Sequence, residues 1–180
     1  MREQYNVISV VERADILLVY NKHSLVHKII CFVTRKESKE YKAGHVMLYL
    51  FGDLVADATG ALGVRERVMP PFYKGEHKVY RARYNSINEE IRNRIINIAL
   101  EKTHKKDKIR YAFLQIPLIL FKYLFKLKNI PDVSKKAMVC SEFATQVYKE
   151  ADVPLFIEDS EEVTPNHFFS NKKLLIKEIE

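Results

Sequence analysis

The chain carries only two cysteines, Cys31 and Cys140, in 180 residues. Two cysteines cannot form the disulfide framework of a small secreted domain, so a reducing compartment fits. No apolar run approaches the roughly 18 residues that cross a bilayer. The opening Met1-Arg2-Glu3-Gln4-Tyr5 lacks the apolar stretch of a secretory signal. The expectation is a cytoplasmic protein without a transmembrane segment. No internal repeat, low-complexity tract or linker divides the sequence, and residues 1–180 read as a single domain. No zinc-type ligand cluster is visible, and neither a metal nor another cofactor is expected.

What is present is an ordinary globular composition, 47% hydrophobic and 29% charged, with a formal charge of +7. That excess favours anionic partners such as membrane surfaces, nucleic acid or anionic polymers; it also fits a solvated, lysine-rich surface. Asp15 to Tyr20 reads as a buried strand from its apolar, β-branched run. Ser24 to Val33 has apolar residues at helical spacing, and the charged stretch from Arg35 to Lys42 reads as a loop. His45 to Phe51 and Leu54 to Ala58 are strands joined by the turn residues Gly52-Asp53. Val64 to Met69 and Lys78 to Tyr84 extend the pattern into a β-meander.

Helices dominate the second half. Ser86 and Glu89 fit a capping box ahead of Ile91, Ile95, Ile98 and Ala99, which share one helical face. Leu114 to Leu127 is strongly apolar, interrupted by Pro117 and two lysines. Cys140 to Ala151 reads as a helix with Phe143, Ala144, Val147 and Ala151 inward, ended by Asp152-Val153-Pro154. Thr164-Pro165 looks like the cap and first residue of a short helix through Phe169. Leu174 to Ile179 closes as a strand. Strands early and helices late give an α+β fold.

Cys140 stands where the polar loop Asp132 to Lys136 gives way to a helix. A helix N-terminus favours thiolate, the nucleophilic form of cysteine. A small buried apolar residue is the other reading of such a cysteine. Cys31, inside an apolar helix without polar support, keeps that second reading. Among six histidines, His45 opens a strand after Ala43-Gly44, where a side chain can project from a sheet end into a cleft. His23, His27, His77 and His104 lie in charged or loop-like segments and suit the surface; His167 is a weaker alternative base. A hairpin about Gly52-Asp53 brings Asp57 back beside His45, where a carboxylate can accept the ring N–H and orient the base. Asp53, at the turn, points to solvent.

The stretches DILLV at 15–19, GHVMLYL at 44–50, VADATGALGVRER at 55–67, VCSEFATQVYKEADV at 139–153 and VTPNHF at 163–168 resemble the circularly permuted NlpC-type cysteine hydrolases. These are the bacterial YiiX-like proteins, with lecithin:retinol acyltransferase a more distant relative. The resemblance runs from Asp15 to about Phe168 and implies a papain-like fold, an antiparallel sheet or partial barrel packed against helices. It also implies Cys140 as nucleophile, His45 as base and Asp57 as the third polar residue, a shorter carboxylate than the glutamate of some subgroups. Tyr111 corresponds to a tyrosine that lines the site and can help the Cys140 backbone N–H bind an oxyanion. Thr164-Pro165 corresponds to a cleft-shaping motif, and Glu142 is expected to support the helix start. Ala14 replaces a frequent glycine, Met47 a frequent glycine or alanine, and Ala112 a common acidic residue.

The function so implied is thioester-mediated cleavage of peptide, isopeptide or cell-wall amide bonds. The alternatives are a lipid acyl-hydrolase or acyltransferase at a membrane surface, and a non-catalytic basic module binding lipid or nucleic acid. Peptide, cell-wall or lipid substrates are the expected partners, and nucleic acid is not. Peripheral membrane contact through Leu114 to Leu127 fits the shared face of Lys122 and Lys126 beside apolar neighbours, although such a segment also packs well on a core.

Overall fold

Four consecutive apolar residues after Asp15 need cover on both faces, and β1 (Ile16–Asn21) obtains it at the centre of a sheet. The computed structural model describes residues 3–34, 41–59, 63–104, 110–111, 137–156 and 163–180. β1 pairs antiparallel with β2 (His45–Phe51) on one side and β5 (His77–Tyr84) on the other. Next to β2 come β3 (Leu54–Thr59) and β4 (Gly63–Val68), and β8 (Leu174–Glu178) pairs outside β5. The result is a six-stranded antiparallel sheet in the order β4-β3-β2-β1-β5-β8.

Only β2, β3 and β4 form a simple meander. The expected extension to β5 is corrected: the chain leaves the β4 edge, crosses one face, and inserts β5 beside β1. The crossing segment buries Phe72 against Leu17, Val19, Met47, Val55 and Val79, so it supplies the cover that face needs. The other face is covered by α2 (Glu89–His104) and α3 (Cys140–Glu150), whose Ile95, Ala99, Phe143 and Val147 join Ile16, Leu18, Val46, Leu48 and Ala56 in a continuous core. Burying one such side chain stabilises by about 1.5–3 kcal/mol. A one-residue slip would exchange the two faces of a strand, so burial fixes the register more firmly than any single hydrogen bond.

The remaining described elements are α1 (Leu25–Val33), α4 (His167–Ser170) and a parallel pair of two-residue strands, β6 (Arg110–Tyr111) and β7 (Ala137–Met138). Helix ends differ from expectation in two places. Asn88, not Ser86, caps α2, since its Oδ1 accepts the Ile91 N–H at 2.9 Å. α4 begins at His167 rather than at Pro165, because Asn166 turns its amide into a buried network instead of starting the helix. Ala14 has φ +67°, a left-handed conformation that favours glycine, so the alanine before Asp15 carries backbone strain. Among the described residues, no helix is long and apolar enough to cross a membrane. The apolar segment Leu114 to Leu127, Ala112 and the side chain of Tyr111 lie outside the described residues.

Candidate active site

His45 is the first residue of β2, and the glycine before it is sterically required. A Cβ on Gly44 would lie 2.2 Å from Cγ and 2.7 Å from Cα of His27 in α1. The His27 ring therefore packs on the backbone that delivers His45. Its Nδ1 accepts the Asn21 N–H at 2.9 Å, so the neutral ring is the one that fits. Burial, reinforced by the charges of His45 and His77, pushes its pKa down to about 4. His27 is thus not the surface histidine expected. His77 is also built in, accepting the Tyr73 N–H on Nδ1 at 3.2 Å.

The β2–β3 hairpin turns at Gly52, where φ is +59°. Leu48 faces Ala56 across it, so Asp57, one step further, stands diagonal to His45. His45 Nε2 lies 2.9 Å from Asp57 Oδ2. Asp57 is fully buried, and Arg67 on β4 holds it from the other side, with Nη2 2.7 Å from Oδ2 and Nε 3.3 Å from Oδ1. Burial pulls the carboxyl pKa up, but the bonds from His45 and Arg67 outweigh it and hold the group below its ordinary range. Arg67 was not anticipated from sequence. Its signal is the strand alternation that puts 65 and 67 on the face of Asp57, with Arg65 directly opposite.

Cys140 is the first residue of α3 and is buried. It lies close enough to His45 for its charge to act on the ring. Since Asp57 engages Nε2, Nδ1 is the ring nitrogen left for the sulfur. Burial pulls the His45 pKa down, yet the negative charge of Cys140 and the bond from Asp57 outweigh it and raise it to about 10. A thiol, an imidazole and an ionised carboxylate therefore stand in series, the order that lets a thiolate–imidazolium pair form. The helix start is held firmly: Glu142 Oε2 accepts the Val139 N–H at 3.2 Å, and Ser141 Oγ donates to the Val163 carbonyl at 2.6 Å.

Segment 163–167 ties the two halves of this arrangement together. Val163 holds the α3 start, while the buried Asn166 accepts the Ala43 N–H at 2.9 Å and donates to Thr34 Oγ1 at 2.5 Å. Asn166 was also missed, because only the fold brings residues 43 and 166 together. His167, weighed as an alternative base, instead accepts the Thr164 N–H on Nδ1 at 2.9 Å. Cys31 is buried, donates to the Ala43 carbonyl at 3.5 Å, and has its thiol pKa pushed up by burial. Among the described residues, no three His, Cys, Asp or Glu side chains cluster as metal ligands. No protein-family model matches the chain, and no curated protein matches it significantly.

Proposed function

We propose that the chain is a cysteine hydrolase of the permuted, papain-like NlpC type, which cleaves amide bonds through a thioester on Cys140. The observation that carries this reading is the His45–Asp57 pair, with Nε2 2.9 Å from Oδ2, placed where the charge of Cys140 at the α3 start acts on the His45 ring. Cys140 thiolate attacks the amide carbonyl carbon and forms a C–S bond. The oxyanion is held by the Cys140 backbone N–H at the α3 terminus, and the resemblance adds the Tyr111 hydroxyl. His45 gives its proton to the departing amine nitrogen as the C–N bond breaks. Water, deprotonated by His45, then attacks the thioester; the C–S bond breaks, the acid leaves, and the thiolate is restored. Asp57 accepts the His45 N–H throughout and fixes which ring nitrogen faces sulfur. Arg67 is a positioning residue acting through Asp57.

The test is alkylation by iodoacetamide at about pH 6, where an ordinary thiol with a pKa near 8.5 is almost wholly protonated. Cys140 is expected to react at least tenfold faster than Cys31, and His45→Ala to remove the difference. Intact-mass detection of an acyl adduct on Cys140 after mixing with amide or ester donors then identifies the bond class. Equal reactivity of the two cysteines in the native protein overturns the proposal.

A further inference from the structure

Among the described residues, nine large apolar side chains are exposed, and four of them lie on the nine-residue helix α1. Leu25 is 70% exposed, Val26 48% and Ile29 38%; Phe32 continues the same side one turn on. The opposite side carries His27 against Gly44 and the buried Cys31 against Ala43, so α1 is fixed to the strand that opens with His45. This apolar stripe is therefore displayed outward by a helix that is locked in place. The chain around it is net basic: from Ile16 to Lys42 it carries six Lys or Arg residues against the two acids Glu37 and Glu40. From Ile16 to Thr34 there is no Asp or Glu, and the exposed Lys22, Lys28 and Lys42 flank the helix.

We infer that α1 is an interfacial anchor that seats the protein on an anionic lipid bilayer, Leu25, Val26 and Ile29 entering the headgroup–acyl boundary and Lys22, Lys28 and Lys42 meeting the lipid charge. A convex helix with an apolar stripe between lysines suits a planar interface, where long side chains bury their stems and keep the ammonium in the polar layer. The charge argues against a second copy as the occupant, because a two-fold contact through this face sets like-charged lysines against each other. The side of α1 opposite the stripe packs on Ala43 and Gly44, next to His45, so the candidate site is held about one helix diameter from the membrane surface. The inference stands on α1 and its rim alone and does not depend on catalysis.

The experiment is co-sedimentation of the full chain, and of Cys140→Ala, with phosphatidylcholine vesicles containing roughly 30% phosphatidylserine or none. Both proteins are expected to bind the anionic vesicles about tenfold better than the neutral ones, with the preference lost between about 50 and 500 mM salt. Leu25→Ser with Ile29→Ser is expected to lose about tenfold in binding while its melting temperature stays within about 2 °C of wild type, as for other exposed substitutions. Absence of vesicle binding overturns the inference, as does binding that the double substitution leaves unchanged. A dimer in light scattering that the same substitution dissolves, without vesicle binding, reassigns the face to self-association. Loss of thiol reactivity in His45→Ala bears on the proposed hydrolase and leaves this result untouched.

Discussion

Arg67 Nη2 and His45 Nε2 converge on one oxygen of Asp57, Oδ2, at 2.7 and 2.9 Å. That shared oxygen belongs to a carboxylate with no solvent exposure, so each partner compensates a desolvated charge. Removing Arg67 leaves the charge with one partner. Arg67→Gln is therefore expected to lower stability by about 2–4 kcal/mol, and Arg67→Lys to recover only part of it, lacking the planar fork. Urea denaturation at neutral pH measures both. The Asp57 pKa is depressed on folding, so this stability is present above the unfolded value of about 3.9 and is lost as pH falls through the folded one. The gap between wild type and Arg67→Gln should stay flat at neutral pH and narrow on acidification.

His45 gives the opposite sign. Its folded pKa of about 10 exceeds the unfolded value of about 6.5. The stability it contributes is complete below about 6.5 and is lost as pH rises toward the folded value. Two measurements check this. The imidazole NMR resonances should remain those of a charged ring at about pH 8, and Cys140→Ala should move the titration to lower pH, because the Cys140 charge is the largest influence holding it up. A ring that is neutral at pH 8 in wild type contradicts the ion pair.

The pairing of His45 with Asp57 was legible in the sequence because it is local. Twelve residues folded about Gly52-Asp53 leave little freedom of register, and the turn residues declare themselves. The contacts of Arg67 and Asn166 were not legible to the same degree. Arg67 reaches Asp57 diagonally across a second hairpin, so its role depends on the register of that hairpin. Asn166 reaches Ala43 from 123 positions away, a contact that only the packed sheet and helices create. The place of β5 was misread for a related reason: alternation of Val79 and Ala82 with basic residues identifies a strand but not its neighbour. Ser86 and Asn88 both carry cap chemistry two residues apart, and local sequence cannot choose between them. The six strands of the main sheet were legible almost to their ends, since runs such as DILLV and HVMLYLF need two covered faces, whereas the two-residue strands β6 and β7 were not read at all.

Gly44 offers a steric test of how His45 is positioned. In Gly44→Ala the new methyl would meet Cβ and Cα of His27 at 2.5 and 2.7 Å as well as the ring. The strand start or α1 has to move, and a core-like overpacking cost of about 1–3 kcal/mol is expected. Shortening the neighbour to His27→Ala should not rescue it, because alanine keeps both of those atoms and the methyl still clashes with them. Stability from urea denaturation and the alkylation rate of Cys140 should both fall in Gly44→Ala and stay low in the double variant. Full recovery in the double variant would mean that the His27 ring alone sets the constraint.

The end of α3 permits a prediction in the stabilising direction. Asp152 has φ +63°, and Val153 N–H bonds to the Tyr148 carbonyl at 3.0 Å while Asp152 N–H bonds to the Lys149 carbonyl at 3.1 Å. This is the Schellman arrangement, whose left-handed residue is usually glycine. An L-residue there costs roughly 1–2 kcal/mol, less for aspartate, which tolerates the conformation. Against relief of that cost stands the ion pair of Asp152 with Arg94, at 2.7 Å but with both side chains exposed. Exposed pairs contribute about 0.2–1 kcal/mol and are screened by salt. Relief of backbone strain should win, so Asp152→Gly is expected to stabilise by up to about 1 kcal/mol, and by more at high salt, where the lost pair counts for least. Arg94→Ala supplies the control: it removes the pair while leaving the backbone conformation, and should lower the midpoint slightly in urea at low ionic strength and hardly at all in salt.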